Sequence, residues 1–393
     1  EGETKSILKK VSNKDATVIK IIRKEYKTSQ PPPFNITSLQ TEAYRLFGFS
    51  PKQTLDIAES LYLSAYISYP RTSSEKLDPR IGYKEILQEL SKLNELKKLA
   101  NELLNKKELV PKEGKKTDVA HIAIYPTSAI PELDKLNDYQ RKLYLLIVKR
   151  FLATFADPAI RESMGIDFDI NGEIFLIRGS RTISPGWIKF YEPYVNLDEI
   201  TLPNVKENQT YKVKKIELIQ DETKPPKRFT QGSIIAEMEK RNLGTRATRS
   251  NILQTLYDRY YIEDKSIKVT RIGVQVAEVL EKNVPDLTSE ELTRHFERET
   301  EQVVLGKKKK EEIIEEAKEI LTKTLKDFKK KEKKIGNELV EAVQEARKEA
   351  SIIGECPKCK SNLVIRYSRI SRKYFIGCSN YPNCTNLYSL PQG

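Results

Sequence analysis

Two tyrosines and an arginine stand close together in Ala65-Tyr-Ile-Ser-Tyr-Pro-Arg-Thr-Ser-Ser74, with Tyr69 two residues ahead of Arg71. A tyrosine hydroxyl is a poor nucleophile near neutral pH because its ordinary pKa is about 10. A cation beside it favours loss of the proton and steadies an anionic centre under attack, and Arg71 is spaced to be that cation. A second constellation is formed by Cys356-Pro-Lys-Cys359 and Cys378-Ser-Asn-Tyr-Pro-Asn-Cys384, two knuckles separated by 18 residues. Four thiolates so spaced suit one tetrahedral structural zinc, with Cys356, Cys359, Cys378 and Cys384 as ligands. The chain has no other cysteine, so the grouping points to a metal site in a reducing compartment rather than to a disulfide framework.

The elements that must position these groups read as follows. Residues 16–26 are rich in β-branched side chains and predict one strand whose partners lie far along the chain. After Pro31-Pro-Pro33, Asn35 or Thr37 can cap a helix ended by Gly48; Ser50, Pro51 and Gln53 then start a second helix with Leu55, Ala58, Leu61, Tyr62 and Ala65 on its apolar face. The Tyr69 segment leaves from its end. Residues 81–110 read as a solvated helical connector with one buried face, and Asp138–Phe155 as an amphipathic helix. The pattern then changes to period two. Residues 165–170, the turn Asn171-Gly172 and residues 173–177 predict a hairpin, with further strand at Trp187–Tyr191 and Tyr211–Ile219.

An internal repeat appears at an offset of 195 residues, where Pro31, Phe34, Ser38, Leu39 and Glu42 find Pro226, Phe229, Ser233, Ile234 and Glu237. Ile57, Leu61, Tyr62, Tyr66 and Ile67 find Ile252, Leu256, Tyr257, Tyr261 and Ile262. The reading is a duplicated helix-turn-helix module, with a β-wing at residues 261–270 in the second copy. Positions kept in both copies are packing positions, which assigns Tyr62 and Tyr66 to scaffold. Tyr69 and Arg71 correspond to Asp264 and Ser266, so the reactive pair belongs to the first copy alone.

Lys and Arg outnumber Asp and Glu by 69 to 56, a net charge of +13 that favours a polyanionic partner, nucleic acid first. No apolar run approaches the roughly 18–20 residues of a membrane span, and no signal peptide opens the chain, so no membrane partner is expected. Residue 1 is Glu, from which we expect a portion of a longer protein. Residues 307–350 hold 14 basic and 11 acidic side chains and predict a long charged helix with Ile313, Ala317, Ile320, Leu321, Leu325 and Phe328 on one face.

Several separate blocks, in order, resemble the type IA DNA topoisomerases of the archaeal topoisomerase I and III branch. They include Pro32-Pro-Phe-Asn-Ile-Thr-Ser-Leu-Gln40, Ile57-Ala-Glu-Ser-Leu-Tyr62, Ile67-Ser-Tyr-Pro-Arg-Thr72, Ala120-His-Ile-Ala-Ile-Tyr-Pro-Thr127, Pro185-Gly-Trp187 and Leu243-Gly-Thr-Arg-Ala-Thr248. The resemblance implies that Tyr69 attacks a backbone phosphate of single-stranded DNA to give a 5′-phosphotyrosyl link and a 3′-hydroxyl. It makes Arg71 the phosphate clamp and His121 a residue that supports proton movement or holds the phosphate. It also implies a single-strand groove lined by the duplicated modules. Residues 224–250 hold seven basic and two acidic side chains, which makes Arg228, Lys240, Arg241, Arg246 and Arg249 candidate backbone contacts. The four-cysteine module resembles the zinc ribbons of the same enzymes. Tyr367, Tyr374, Phe375 and Tyr381 among its six basic residues suit binding of a single strand.

Type IA enzymes open with a TOPRIM domain that holds magnesium through a Glu and an Asp-x-Asp pair. Here fifteen Lys/Glu-rich residues precede the first strand, and the one Asp-x-Asp, Asp167-Phe-Asp169, sits inside the predicted hairpin. Magnesium is therefore expected only through a TOPRIM half, either a preceding N-terminal portion or a separate polypeptide. The expected fold is multidomain α+β. Residues 1–30 give the first strand of a β-rich arch domain that continues at 158–223. Residues 31–157 form a tyrosine-bearing winged-helix-like domain and 224–306 a second one; 307–351 are a charged helical linker and 352–393 a zinc ribbon. The expected function is transient single-strand cleavage, strand passage and religation on single-stranded and negatively supercoiled DNA, in the cytoplasm and on the nucleoid. The alternatives are a non-catalytic single-stranded DNA-binding subunit and, more remotely, a tyrosine recombinase, which needs several Arg/His phosphate ligands ahead of a late tyrosine.

Overall fold

The structure, a computed structural model, describes residues 2–390. They gather into two compact units, one running to Glu237 and taking in Arg246–Ser250, the other formed by Met238–Thr245 and the chain from Asn251. Among the described residues no helix is long and apolar enough to cross a membrane.

In the first unit, helix α1 (Gly2–Val11) buries Val11 against Ala16 and Ile170, so the charge-rich opening packs on the sheet. Strand β1 (Ala16–Thr28) leads into α2 (Ile36–Phe47), whose N-terminus carries a reciprocal box: Asn35 accepts from the Ser38 amide and Ser38 from the Asn35 amide. Helix α3 (Pro51–Leu63) starts under Ser50, which accepts from the Gln53 amide at 3.1 Å. The expected connector is two short helices, α4 (Tyr83–Leu90) and α5 (Lys97–Leu104), and its buried face, with Ile86, Leu87, Leu90, Ala100 and Leu103, lies in the main core. Helix α6 (Asp138–Phe155) runs through that core, with Leu143, Ile147 and Phe151 fully buried near Phe34, Leu61 and Ile67.

The distant partner of β1 is β2 (Ala159–Ile170), antiparallel from Thr17 opposite Asp169 to Thr28 opposite Ala159. Strand β3 (Glu173–Ser184) returns through Asn171 and Gly172, both with positive φ, as an Asn-Gly turn requires. Two expected strands are corrected. Trp187–Tyr191 is helix α7, entered through Gly186 at φ 48°, where a Cβ would lie 2.5 Å from the Pro158 carbonyl. A five-residue run with four apolar side chains fits either element, and here the turn at Gly186 decides it. Of Tyr211–Ile219 only Thr210–Tyr211 (β4) pairs. Tyr211 lies opposite Ala16, the first residue of β1, so the ladder has no further partner. The sheet order is β3-β2-β1-β4.

The repeat is visible in the backbone. Helix α8 (Gln231–Lys240) opens with Thr230 and Ser233 exchanging bonds from backbone amide to side-chain oxygen, as Asn35 and Ser38 do 195 positions earlier. After α9 (Arg249–Asp258), Tyr260 takes φ 55° and the Tyr261 amide bonds the Leu256 carbonyl; after α3, Ala65 takes φ 62° and Tyr66 bonds Leu61. In the second copy, β5 (Ile262–Glu263) pairs with β6 (Lys268–Val269) across a short turn. In the first copy the equivalent Ile67 bridges Pro126. The intervening segment 68–125 is an insertion into one small hairpin, and it carries Tyr69, Arg71 and His121.

Further along the second unit come α10 (Arg271–Asn283), α11 (Pro285–Thr288), α12 (Glu290–Val304) and the long α13 (Lys310–Ala350). Helix α13 packs on α10 and α12 rather than running free: Asn283 donates to Glu338 at 2.9 Å and Arg271 pairs with Glu345 and Glu349. Its buried stripe is Ile313, Thr324, Ile335 and Ala342, whereas Leu321 and Leu325 from the expected face are each 53% exposed. Strands β7 (Ile352–Glu355), β8 (Asn362–Ser368), β9 (Lys373–Cys378) and β10 (Leu387–Ser389) complete the unit as an antiparallel sheet ordered β10-β9-β8-β7.

Candidate active site and metal centre

The bridge between Ile67 and Pro126 draws the two ends of the inserted segment together. The Ser68 amide bonds the Tyr125 carbonyl at 2.9 Å, the Ser68 hydroxyl donates to the Ala123 carbonyl at 3.1 Å, and it accepts from the Tyr125 amide at 3.0 Å. Thr72, fully buried, donates its hydroxyl to the His121 carbonyl at 3.2 Å. These bonds set the Tyr69 ring 4.5 Å from the His121 ring, centroid to centroid, at 46°. Both residues are half-buried, so the tyrosine is supported on one side and open on another.

Tyr62 departs from its expected scaffold role: it is 41% exposed and meets Tyr69 edge-on at 5.3 Å. Its repeat partner Tyr257 bonds the carbonyl of Asp264, the counterpart of Tyr69, so the contact belongs to the module and the chemistry to the residue at position 69. Arg71 donates its Nε to Glu59 on α3 at 2.5 Å. That hydrogen bond holds its guanidinium above the ordinary value against the opposing effect of burial. With Nε engaged, the two terminal nitrogens are the pair that matches two phosphate oxygens.

Sequence reasoning missed Glu59 and Asp118. Glu59 lies within a quoted block, but a glutamate twelve residues from Arg71 on a helix reads as surface charge. Asp118, in a polar loop, turns out to be the buried centre of the insertion: its side chain is 1% exposed and pairs with Arg246 at 2.7 Å. Burial alone would raise its carboxyl, but the Ser73 and Ala120 amides, Arg246 and the Ser73 hydroxyl together hold it below the ordinary range.

Arg246 is engaged with this aspartate, Arg241 pairs with Glu290 at 3.2 Å, Arg228 and Lys240 are exposed, and Arg249 opens α9 half-buried. Asp167 accepts from Arg178 at 2.8 Å and Asp169 from the Gly172 amide at 3.2 Å, so both serve the hairpin and do not fit a magnesium pair. His295, to which sequence assigns no chemistry, meets Glu316 at 2.8 Å.

The sulfurs of Cys356, Cys359, Cys378 and Cys384 all lie within 4.8 Å of one another. Tetrahedral zinc with Zn–S bonds of about 2.3 Å requires such mutual spacings, so the donor set fits. Cys356 and Cys359 sit on the β7–β8 turn, where Lys360 takes φ 62°; Cys378 ends β9 and Cys384 lies in the following loop. Asn386 donates to the Cys356 sulfur at 3.4 Å, orienting it from behind.

Residues 1–315 match the family described as DNA topoisomerase, and residues 353–393 match the family described as topoisomerase DNA binding C4 zinc finger. The chain belongs to the type IA DNA topoisomerase family and carries its four-cysteine zinc ribbon. It is 46% identical over its full length to DNA topoisomerase 1 of Pyrococcus horikoshii, covering 57% of that protein. It is 43% identical to DNA topoisomerase 1 of Methanocaldococcus jannaschii, covering all of this chain and 51% of that one. The chain thus spans about half the length of the curated relatives it matches. The fold is also that of full-length topoisomerase I from Thermotoga maritima, at TM-score 0.65 and 24% identity over 100% of this chain and 62% of that one.

Proposed function

We propose that this chain is the tyrosine-bearing portion of a DNA topoisomerase, which breaks one strand, lets another pass and reseals the first. The Tyr69 oxygen gives up its proton and bonds a backbone phosphorus. The bond from phosphorus to the 3′ oxygen breaks, and that oxygen keeps the electron pair, takes a proton and leaves as a 3′-hydroxyl. Reversal restores the strand. Arg71 offers paired donors to the phosphate, and His121 holds or moves a proton at the tyrosine. The placement of Tyr69 and His121 4.5 Å apart, at the two ends of a segment inserted into a duplicated scaffold, supports this reading most directly.

On the same reading, α2 with α3 and α8 with α9 are the helices of two winged-helix-like modules, in residues 31–157 and 224–306. Residues 1–30 and 158–223 make a β-rich arch, 307–351 a charged helical linker, and 352–393 a ribbon that meets single strands. Magnesium enters with a TOPRIM portion that stands elsewhere in a longer chain or in a separate polypeptide. The protein works on single-stranded and negatively supercoiled DNA in the cytoplasm and on the nucleoid.

The test is to add a magnesium-binding TOPRIM polypeptide to the 393-residue chain with a 3′-end-labelled single strand. Label should travel with the protein on a denaturing gel, and Tyr69→Phe should abolish it. Equal labelling of the Phe variant would contradict the reading.

A further inference from the structure

Asp118 takes part in no step proposed above, yet its carboxylate accepts from three backbone amides and a hydroxyl and pairs with a guanidinium. Its two oxygens face different parts of the chain. Oδ2 accepts from the Ser73 amide at 3.1 Å and the Ser73 hydroxyl at 3.1 Å, and it is this oxygen that pairs with Arg246. Oδ1 accepts from the Ala120 amide at 3.0 Å and the His121 amide at 3.3 Å. One oxygen therefore holds the loop of Tyr69 and Arg71, and the other holds the loop of His121.

We propose that Asp118 is a positioning residue, whose carboxylate fixes the approach of the Tyr69 and His121 rings by holding the loops that carry them. It rests on the reading of Tyr69 as nucleophile. A carboxylate is the group this position needs, because both its oxygens accept hydrogen bonds. An asparagine offers one acceptor; its amide nitrogen would aim hydrogens at donors on whichever side it faced. Its partners are four hydrogen-bond donors and one guanidinium, so the carboxylate is satisfied as an anion. Buried at 1% exposure, such a group does not exchange its partners for water, and its geometry is passed on to both loops. Thr72, between Arg71 and Ser73, bonds the His121 carbonyl, so the carboxylate works alongside a second tie.

The experiment compares the wild-type chain with Asp118→Asn and Asp118→Ala, after thermal melts select the variants that fold. The chain has two histidines, so the ring protons of His121 are assigned from one His121→Gln spectrum. Because the Tyr69 ring lies 4.5 Å from it at 46°, His121 reports their approach through its ring-current shift, independently of any reaction. Asp118→Asn should move those signals toward their values in Tyr69→Ala. With the TOPRIM polypeptide added, it should also lower the rate of adduct formation at saturating single strand by about tenfold or more, with affinity for the strand nearly unchanged. Unmoved His121 signals, or moved signals with a wild-type rate, would overturn the proposal. A loss confined to strand affinity would overturn it too. If the wild-type chain forms no adduct, the nucleophile reading fails and the His121 signals alone decide whether Asp118 positions the two rings.

Discussion

Arg71 gives its Nε hydrogen to Glu59 at 2.5 Å, from a loop to the helix that precedes it, and so presents its terminal nitrogens in a set orientation. A guanidinium left to rotate would have to be ordered again at each encounter with phosphate. Glu59→Ala should therefore lower the rate of adduct formation by about tenfold while Arg71 remains present. Glu59→Gln keeps an acceptor at the same place and should recover most of the loss. Single-turnover kinetics with a labelled oligonucleotide reads both, and equal defects in the two variants would remove the orienting role.

Arg150 is the second arginine with a strong prediction, this time on stability. Its guanidinium lies between the Phe34 ring at 4.1 Å and the Tyr191 ring at 4.6 Å, and 3.9 Å from Glu42. Glu42 also receives Arg45 and the Tyr191 hydroxyl, so α2, α6 and α7 converge on one half-buried carboxylate. Arg150→Ala leaves that cluster short of a charge and two rings short of a packing partner. Urea denaturation of the first unit should show a loss of about 3 kcal/mol.

Zinc removal should be local. The core of the ribbon is little more than Cys356, Cys378 and Cys384 with Cys359 and Leu363, too small to fold without its metal. A chelator should abolish the amide protection of β7–β10 and leave that of α6 and the β1–β2 ladder as it was, measured by hydrogen exchange.

Asp118 also sets an acid limit. Its carboxyl lies below the ordinary 3.8 in the folded protein. Its contribution to stability is therefore complete above the unfolded value and disappears as pH falls through the lowered folded one. Below about pH 4 the wild-type melting temperature should fall more steeply than that of Asp118→Asn, which has no such proton to take up. Parallel acid limbs would show that the carboxylate contributes nothing there.

The sequence carried the repeat, the α6 boundaries, the hairpin turn and the cysteine cluster, because each depends on local chemistry: periodicity, caps, an Asn-Gly turn and knuckle spacing. Trp187–Tyr191 reads as strand because so short a run, four apolar residues around Lys189, has no period of its own, and a positive-φ glycine resolves it. The ties that hold the Tyr69 loop were harder. Glu59 meets Arg71 across 12 residues, Asp118 meets Ser73 across 45 and Thr72 meets His121 across 49, and nothing in a charged residue on a helix or in a polar loop reveals which distant donor it will meet. Arg246 illustrates the same limit: it sits in a basic stretch, and its neighbour is an aspartate far back in the chain.

The central claim is that Tyr69 bonds DNA, and peptide mapping of the trapped adduct tests it most directly. The chain, supplied with a magnesium-binding TOPRIM polypeptide and a short single strand, is denatured, digested with nuclease and protease, and read by mass spectrometry. The account predicts a nucleotide 5′-phosphate on the peptide containing Tyr69 and on no other, and its absence from Tyr69→Phe. A nucleotide on Tyr62, Tyr66 or any other residue, with Tyr69 unmodified, would contradict it.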